Sequence, residues 1–419
     1  MWESILTFGP RSSRLNFGGT SRLRQPVRMA EALARIERYL SQYDIMRVAF
    51  DEKRVEQTFQ SQSTIGVFLC DASALPDRER SVKTAQFQLL AEAGFRLDAF
   101  DMDEAPLRLG LLHTGGFVTD VQMLMSHLPF DGVVYRLLAS PLVDAIEGRS
   151  VPVTGQQTEA LIRQERSEQG VRRSNAVIDH WVAAATRLPP GRGLMGTTAG
   201  SYPVVALRSR AAAIAAQTLT VSTRTSTTSV IVAALTRSMR RHLDPRLSAM
   251  LIVSNNRWQP GLREFVGQTL GNSLLVLTRD DDGKDFGPYV GAVHSRAVMA
   301  YSHARYDTIR WREILIGLSQ RGEATDLSYY FNDVRFKRDA WRGLETRSDE
   351  LRAGIAHRTS TEVIERRDMS DATLFANLHD AGEECLLTLV CDETRIAPSV
   401  AVVVLTAVEA LLVEEALAA

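Results

Sequence analysis

Patterns typical of helices and patterns typical of strands alternate in both halves of this chain. Residues 30–40 carry apolar side chains at helical spacing, and residues 106–128 predict a β-hairpin that turns at Gly115 and Gly116. The second half mixes the two patterns in the same way, with a strand pattern at residues 249–258 that follows a long helical one. Because helices are then available to cover each sheet, the sequence predicts a mixed α/β (α+β) fold.

A polar and highly charged segment at residues 147–174 separates the two halves. With 419 residues, of which 45% are hydrophobic, the chain is long enough to build two cores. We therefore expect two lobes of comparable architecture, an N-terminal lobe at residues 1–160 and a C-terminal lobe at residues 161–419.

Charge and composition argue against several classes of partner and site. The formal net charge of −1 provides no basic surface for nucleic acid or for an anionic membrane. The apolar run at residues 396–419 is interrupted by Pro398 and by glutamates, so it predicts an amphipathic helix and not a membrane span. The three cysteines lack metal-binding spacing, and no P-loop or Rossmann glycine pattern occurs. We expect a cytoplasmic monomer without a resident metal or cofactor.

Residues 126–132, with the sequence SHLPFDG, are the strongest candidate for a catalytic site. They follow an apolar strand pattern, turn at Pro129 and restart as a helix with Asp131 in the N-cap position. His127 at such a turn is either a catalytic imidazole or an incidental residue of a strand–turn–helix junction. A serine nucleophile at Ser126 is a further alternative, but the G-x-S-x-G elbow that would expose it is missing.

The order of several segments resembles the condensation domain of nonribosomal peptide synthetases, a member of the chloramphenicol-acetyltransferase-like superfamily. SHLPFDG is similar to the HHxxxDG motif of that family, with Ser126 in place of the first histidine. Other segments resemble its motifs in the expected order: SQYDIMRVAF at 41–50, FRLDAFDMDEAPL at 95–107, VIDHW at 177–181, IVSNNRW at 252–258 and FVGQTLGNSLLVL at 265–277. The resemblance extends over nearly the whole chain.

The resemblance implies two chloramphenicol-acetyltransferase-like lobes that form a V-shaped pseudo-dimer with a central substrate tunnel. In that fold His127 is the catalytic base or stabilises the tetrahedral intermediate, and Ser126 is a structural neighbour. Asp131 is expected to pair with Arg257 across the junction between the lobes. Gly132 would let the backbone approach the tunnel without a side chain in the way.

The resemblance also implies a reaction. The enzyme would be an acyltransferase that forms an amide or ester bond in natural-product biosynthesis, such as that of an antibiotic. The donor is an acyl or aminoacyl thioester on the phosphopantetheine arm of a carrier protein, and the acceptor is a small amine or alcohol. No cofactor of its own is required, because the thioester is already activated. Tyr330 and Asn332 are weaker candidates for substrate contacts.

A second function remains open: a catalytically silent, condensation-like module that recruits a partner protein to an assembly line. The Ser126 variant of the motif favours this alternative, whereas the intact His127, Asp131 and Gly132 favour the enzyme. The cyclising relatives of the family have Asp in place of the motif histidine, so His127 excludes that pattern.

Overall fold

The computed structural model describes residues 15–51, 54, 56–74, 79, 87, 100–153, 155–191, 196, 198–281, 283–344 and 359–419. The chain divides into two compact units, one formed by Met1–Val171 with Asn255–Leu270, the other by Arg172–Ser254 with Gly271–Ala419. A helical pattern at residues 80–99 also predicts a helix, but nearly all of it lies outside the described residues.

The first unit is built around a four-stranded sheet. Its elements are β1 (Phe17–Arg28), α1 (Met29–Leu40), β2 (Val48–Asp51), β3 (Glu56–Phe59), β4 (Val67–Asp71), β5 (Leu107–Thr114), β6 (Phe117–Met125), α2 (Gly132–Ile146) and α3 (Thr158–Glu165). The strand order is β1–β6–β5–β4, and β2 pairs with β3 in a separate ribbon. Strand β6 is antiparallel to both of its neighbours, and β4 is parallel to β5. The helix predicted at residues 30–40 is confirmed as α1.

One face of this sheet packs against α1 and α2 and forms the core of the first unit. Met123 and Met125 of β6 both point into this core, because alternate side chains of a strand lie on the same face. The predicted hairpin is confirmed as β5 and β6. Its turn residues Gly115 and Gly116 have φ angles of 57° and 83°, in the left-handed region that favours glycine.

The second unit contains a seven-stranded mixed sheet. Its strands are β7 (Thr198–Ser209), β8 (Ala249–Ser254), β9 (Gly271–Val276), β10 (Tyr329–Asp333), β11 (Ser360–Ser370), β12 (Leu374–His379) and β13 (Cys385–Cys391), in the order β11–β7–β13–β12–β10–β8–β9. Its helices are α4 (Glu168–Ala185), which begins in the first unit, α5 (Arg210–Thr223), α6 (Thr227–His242), α7 (Phe286–Ser302), α8 (Thr308–Gln320) and α9 (Pro398–Ala418).

Helices pack on both faces of this sheet at strand β8. In β8, Met250 and Ile252 join a core with α5, α6, α7 and α9, whereas Ala249 and Leu251 join a second core with α4 and α8. The alternation explains why the strand reads as a nearly continuous apolar run, since neither face meets solvent. The mixed α/β fold with a sheet in each half is confirmed.

The C-terminal apolar run forms helix α9, which begins at Pro398. Proline suits this first helical position because it lacks only an N–H group that would have no partner there. Buried residues of α9, among them Ala401, Val404 and Val408, belong to the core of the second unit. Within the described part of the chain, no helix is long and apolar enough to cross a membrane.

The segment Asn255–Leu270 belongs to the first unit, although β8 before it and β9 after it belong to the second. Its Leu262 and Phe265 are buried against Leu161 of α3. The expected lobe boundary after residue 160 would place this segment with the C-terminal lobe. Its apolar residues are instead buried in the first unit.

Candidate active site

His127 lies two residues beyond strand β6, in a turn that leads into helix α2. The backbone amide of Ser126 donates to the carbonyl oxygen of Pro106 at 2.9 Å. The imidazole Nδ1 of His127 then lies 2.8 Å from the carbonyl oxygen of Phe130. Because a carbonyl oxygen can only accept a hydrogen bond, Nδ1 carries the proton. In the neutral ring Nε2 therefore keeps its lone pair, which is what a general base requires.

The surroundings of the ring favour this neutral form. Burial lowers the pKa of His127 below its ordinary value of 6.5, and it outweighs the Phe130 carbonyl and the Asp131 carboxylate, which both raise the pKa. The ring of Phe17 packs edge-on against the imidazole, with the ring centroids 5.1 Å apart. His127 is therefore unprotonated at neutral pH and able to accept a proton.

Ser126 and His127 line a recess in the first unit. The other lining residues are Asn16, Phe50, Phe100, Asp101, Met102, Glu104, Pro106 and Leu128. Both apolar and polar side chains therefore surround the imidazole, as is usual in sites that bind small molecules.

One wall of this recess is held by Arg108. Its Nε and Nη2 each donate to Glu104 at 2.6 Å, and its guanidinium lies 4.3 Å from the ring centroid of Phe100. The bidentate geometry fixes the orientation of both side chains. Glu104 is therefore charge-compensated within the wall.

Ser126 is buried, and its Oγ accepts a hydrogen bond from the amide of Leu128 at 3.4 Å. This contact stabilises the turn locally, in the manner of a serine turn. The geometry gives Ser126 a structural part in the turn that carries His127.

Asp131 is fully buried and accepts six hydrogen bonds. Oδ1 accepts from the amides of Val133 at 3.0 Å and Val134 at 3.3 Å, which makes Asp131 the N-cap of α2 that the sequence predicted. Arg257 Nη2 lies 2.8 Å from both carboxylate oxygens. Oδ2 also accepts from the amide of Thr269 at 3.1 Å and from its hydroxyl at 2.9 Å. The predicted Asp131–Arg257 pair is confirmed.

Arg257 also holds the segment that carries it. Its Nη1 donates to the carbonyl oxygens of Leu262 at 3.2 Å and Phe265 at 2.7 Å, and its Nη2 donates to Gly267 O at 3.0 Å. A buried guanidinium with a carboxylate and three carbonyl partners satisfies most of its donors. Arg257 therefore shapes the segment 255–270 as well as pairing with Asp131.

The place of this pair differs from the expectation in one respect. The sequence placed Asp131 and Arg257 on either side of a junction between lobes, but both belong to the first compact unit. The difference arises because the segment that carries Arg257 packs with the first unit, although it lies far beyond residue 171 in the sequence.

Two residues of the site were not predicted from the sequence, Gln268 and Thr269. Thr269 binds Asp131, and the side-chain amide of Gln268 donates to His127 O at 3.3 Å and to Phe130 O at 3.4 Å. A signal was present, because both residues lie in the segment FVGQTLGNSLLVL that resembles a family motif.

The remaining candidates have different positions. Gly132 is the first residue of α2. Tyr330 and Asn332 lie in β10 of the second unit, where Tyr330 is buried and stacks on Phe375 with ring centroids 5.2 Å apart. Their contact with a substrate stays a prediction. Within the described ranges, no three His, Cys, Asp or Glu side chains lie together in a way that could hold a metal ion.

Several solved structures that are similar to this chain are condensation domains. The chain is similar to the condensation domain that mediates chain release from the enacyloxin polyketide synthase. The TM-score is 0.70 and the identity is 15%, over 100% of this chain and 81% of that one. It is similar to VibH, an NRPS condensation enzyme, with a TM-score of 0.65 and 14% identity over 95% of this chain and 90% of that one. This chain has the condensation-domain fold.

A third structure with the condensation-domain fold is SgcC5 from Streptomyces globisporus. Its TM-score is 0.64 at 15% identity, over 98% of this chain and 93% of that one. No family model and no curated protein matches the sequence. The similarity in structure thus extends over nearly the full chain while few residues are shared, so it concerns the condensation-domain fold itself.

Proposed function

We propose that this protein is a condensation enzyme, an acyltransferase that joins a carrier-bound acyl or aminoacyl thioester to an amine or alcohol. The observation that carries the proposal is His127, which lines the recess of the first unit and whose Nδ1 is fixed by the Phe130 carbonyl, so that Nε2 keeps its lone pair. The condensation-domain fold supports it.

The reaction follows from this arrangement. The amine nitrogen or alcohol oxygen attacks the thioester carbonyl carbon, and its proton passes to His127 Nε2 as the new bond forms. The carbonyl π electrons move onto the oxygen and return as the carbon–sulfur bond breaks. The departing thiolate takes up a proton, so the products are an amide or ester and the free thiol of the carrier. The thiolate takes this proton from the imidazolium, which regenerates the neutral imidazole.

The rest of the proposal concerns partners and place. We propose two acyltransferase-like lobes in a V-shaped arrangement, with a central tunnel through which the phosphopantetheine arms of the carrier proteins reach His127. Tyr330 and Asn332 are proposed as substrate contacts. The protein would act as a cytoplasmic monomer in a natural-product pathway.

The ligands of similar proteins bear on the choice of substrates. SgcC5 was solved with 1-(2-naphthyl)-1,2-ethanediol, an alcohol, and a starter condensation domain of the rhizomide synthetase was solved with C8-CoA and Leu-SNAC. Amine and alcohol acceptors, and carrier-bound and coenzyme A donors, therefore belong in the same test series.

A second candidate is a silent module that recruits a partner to an assembly line. The observation that favours it is Ser126, which stands where the family motif has its first histidine. Because the Ser126 side chain accepts from the amide of Leu128 within the same turn, its presence leaves the imidazole of His127 in place. We therefore favour the enzyme.

The two candidates are separated by a product assay. Purified protein is incubated with an acyl thioester on a carrier protein or on coenzyme A, and with a panel of small amines and alcohols. Amide or ester product detected by mass spectrometry supports the enzyme. Carrier binding without product across the panel supports the silent module.

The pH dependence of the reaction is a first prediction. Because burial lowers the pKa of His127 below 6.5, the acid limb of kcat/KM is expected below pH 6.5. Protonation of the ring removes the lone pair from Nε2, so the rate falls as the pH drops through this pKa. Initial rates measured from pH 5 to pH 8 at constant ionic strength test this. An acid limb above pH 7 would contradict the neutral imidazole.

Ser126→Ala is expected to keep turnover within about tenfold of the wild type, because it removes one hydrogen bond worth about 1 kcal/mol. The measurement is kcat in the same product assay. A loss as large as that of His127→Ala would instead make Ser126 part of the chemistry and would contradict its assignment to the turn.

A further inference from the structure

Gln268 bridges the two ends of the turn that carries His127. Its Nε2 donates to the carbonyl oxygen of His127 at 3.3 Å and to that of Phe130 at 3.4 Å. The Phe130 oxygen is the same atom that accepts from the imidazole Nδ1 at 2.8 Å. One side-chain amide therefore contacts the carbonyl that determines the tautomer of the imidazole.

The orientation of this amide follows from its third contact. The backbone amide of Leu270 donates to Gln268 Oε1 at 3.2 Å. Because a backbone N–H can only donate, the side-chain oxygen must face Leu270 and the NH₂ group must face the two carbonyl oxygens. The reverse orientation would place oxygen against oxygen.

The backbone on either side of Gln268 is anchored by the buried ion pair. Arg257 donates to the carbonyl oxygen of Gly267 at 3.0 Å, and Thr269 donates to Asp131 through its amide and its hydroxyl. Both neighbours of Gln268 in the sequence are therefore fixed by a charged partner. The Asp131–Arg257 pair therefore helps to fix the position of Gln268, and Gln268 in turn contacts the turn that carries His127.

We propose that Gln268 is a positioning residue for His127, which holds the Phe130 carbonyl toward Nδ1 and so keeps the lone pair on Nε2. Its effect on catalysis rests on the proposed function, whereas its effect on the tautomer does not. A role confined to the stability of the segment 255–270 would leave the tautomer of His127 unchanged.

The first test measures the proton position directly. The full chain is labelled with ¹⁵N-histidine, and long-range ¹H–¹⁵N correlation at pH 8 reports which ring nitrogen carries the proton. The signal of His127 is assigned by its disappearance in His127→Ala. We expect the proton on Nδ1 in the wild type and a mixture with the Nε2–H form in Gln268→Ala. A wild-type ring protonated on Nε2 would overturn the proposal without any variant.

The second test uses Gln268→Glu, which keeps the size of the side chain and replaces the donor by a carboxylate. Gln268 Nε2 and His127 Nδ1 contact the same oxygen, so the new charge lies within the range at which one group shifts the pKa of another. A negative charge favours the imidazolium, so the pKa of His127 is expected to rise by roughly one unit. The acid limb of kcat/KM should move to higher pH by the same amount.

Gln42→Glu is the matched control. Gln42 is an exposed residue of the first unit, and its side-chain amide likewise donates to two backbone carbonyl oxygens, those of Arg38 at 3.0 Å and Tyr39 at 3.2 Å. It is expected to leave the titration of His127 unchanged. Equal titrations in wild type, Gln268→Glu and Gln42→Glu would overturn the proposal.

The kinetic consequence is smaller than that of removing the imidazole. Gln268→Ala is expected to lower kcat about fivefold, the equivalent of one net hydrogen bond, with little change in the KM of the acceptor. Absence of product in the wild type would refute the proposed function alone, because the NMR result does not depend on turnover. Normal turnover with an unaltered tautomer in Gln268→Ala would refute the positioning role alone.

Discussion

His127→Ala is expected to lower turnover on a carrier-bound thioester by about 10²–10⁴-fold, the range that a positioned general base contributes. The variant loses Nε2, the atom that accepts the proton of the attacking amine or alcohol. The alanine also leaves the Phe130 carbonyl without its imidazole partner. The measurement is kcat for product formation, together with the Kd of the carrier protein, which should hardly change because the substitution alters a recess and no surface charge.

A second histidine variant controls for effects on turnover that any His→Ala substitution would have. His242 is exposed at the last position of helix α6 in the second unit, and His242→Ala should retain wild-type turnover. If His127→Ala instead retains wild-type kcat while product forms, the imidazole is not the base. The silent module predicts a third pattern, in which neither the wild type nor any variant forms product.

Asp131→Ala is expected to lower the free energy of unfolding by roughly 3–5 kcal/mol, because one partner of a buried pair is removed and the other charge stays buried. Arg257 would keep its three carbonyl contacts but lose its partner carboxylate, and helix α2 would lose its N-cap. Chemical denaturation measures the loss, and hydrogen exchange of the α2 amides shows where it acts. Activity should fall as well, because the backbone amide of Thr269 loses its acceptor next to Gln268.

Asp307→Ala separates the cap from the ion pair. Asp307 is an exposed N-cap of helix α8 that accepts from the amides of Ile309 and Arg310. Its replacement should cost about 1 kcal/mol, the usual contribution of a cap. A loss of equal size in Asp131→Ala and Asp307→Ala would mean that the pair with Arg257 contributes little to stability.

The sequence revealed those features that depend on neighbouring residues. The hairpin at Gly115 and Gly116 and the N-cap at Asp131 follow from short patterns, because local geometry requires these residue types. The partner of Asp131 is different in kind, since Arg257 is 126 positions away and was inferred only from the resemblance to a family. The sequence order suggested the other lobe for Arg257, whereas its segment belongs to the first compact unit, because sequence order does not reveal which unit a segment packs with.

Gln268 and Thr269 show why the rest of the site could not be predicted. Gln268 is 141 positions from His127, and Thr269 is 138 positions from Asp131. Neither residue belongs to a periodic pattern, and both lie in the loop between β8 and β9. Their roles depend on how closely the two segments lie in the folded chain. No pattern of neighbouring residues in the sequence indicates that distance.

The first compact unit is discontinuous in the sequence, and this affects when it can complete its folding during synthesis on the ribosome. Residues 172–254 must be translated before the segment Asn255–Leu270 emerges, and that segment carries Arg257, Gln268 and Thr269. Arg257 follows Asp131 by 126 residues. At a synthesis rate of about 5–20 residues per second, Arg257 is therefore added roughly 6–25 seconds after Asp131. During that interval helix α2 begins at a carboxylate without its cationic partner. The final packing of the amino-terminal part is thus a late event in synthesis, completed only when the polypeptide has passed well into its second half.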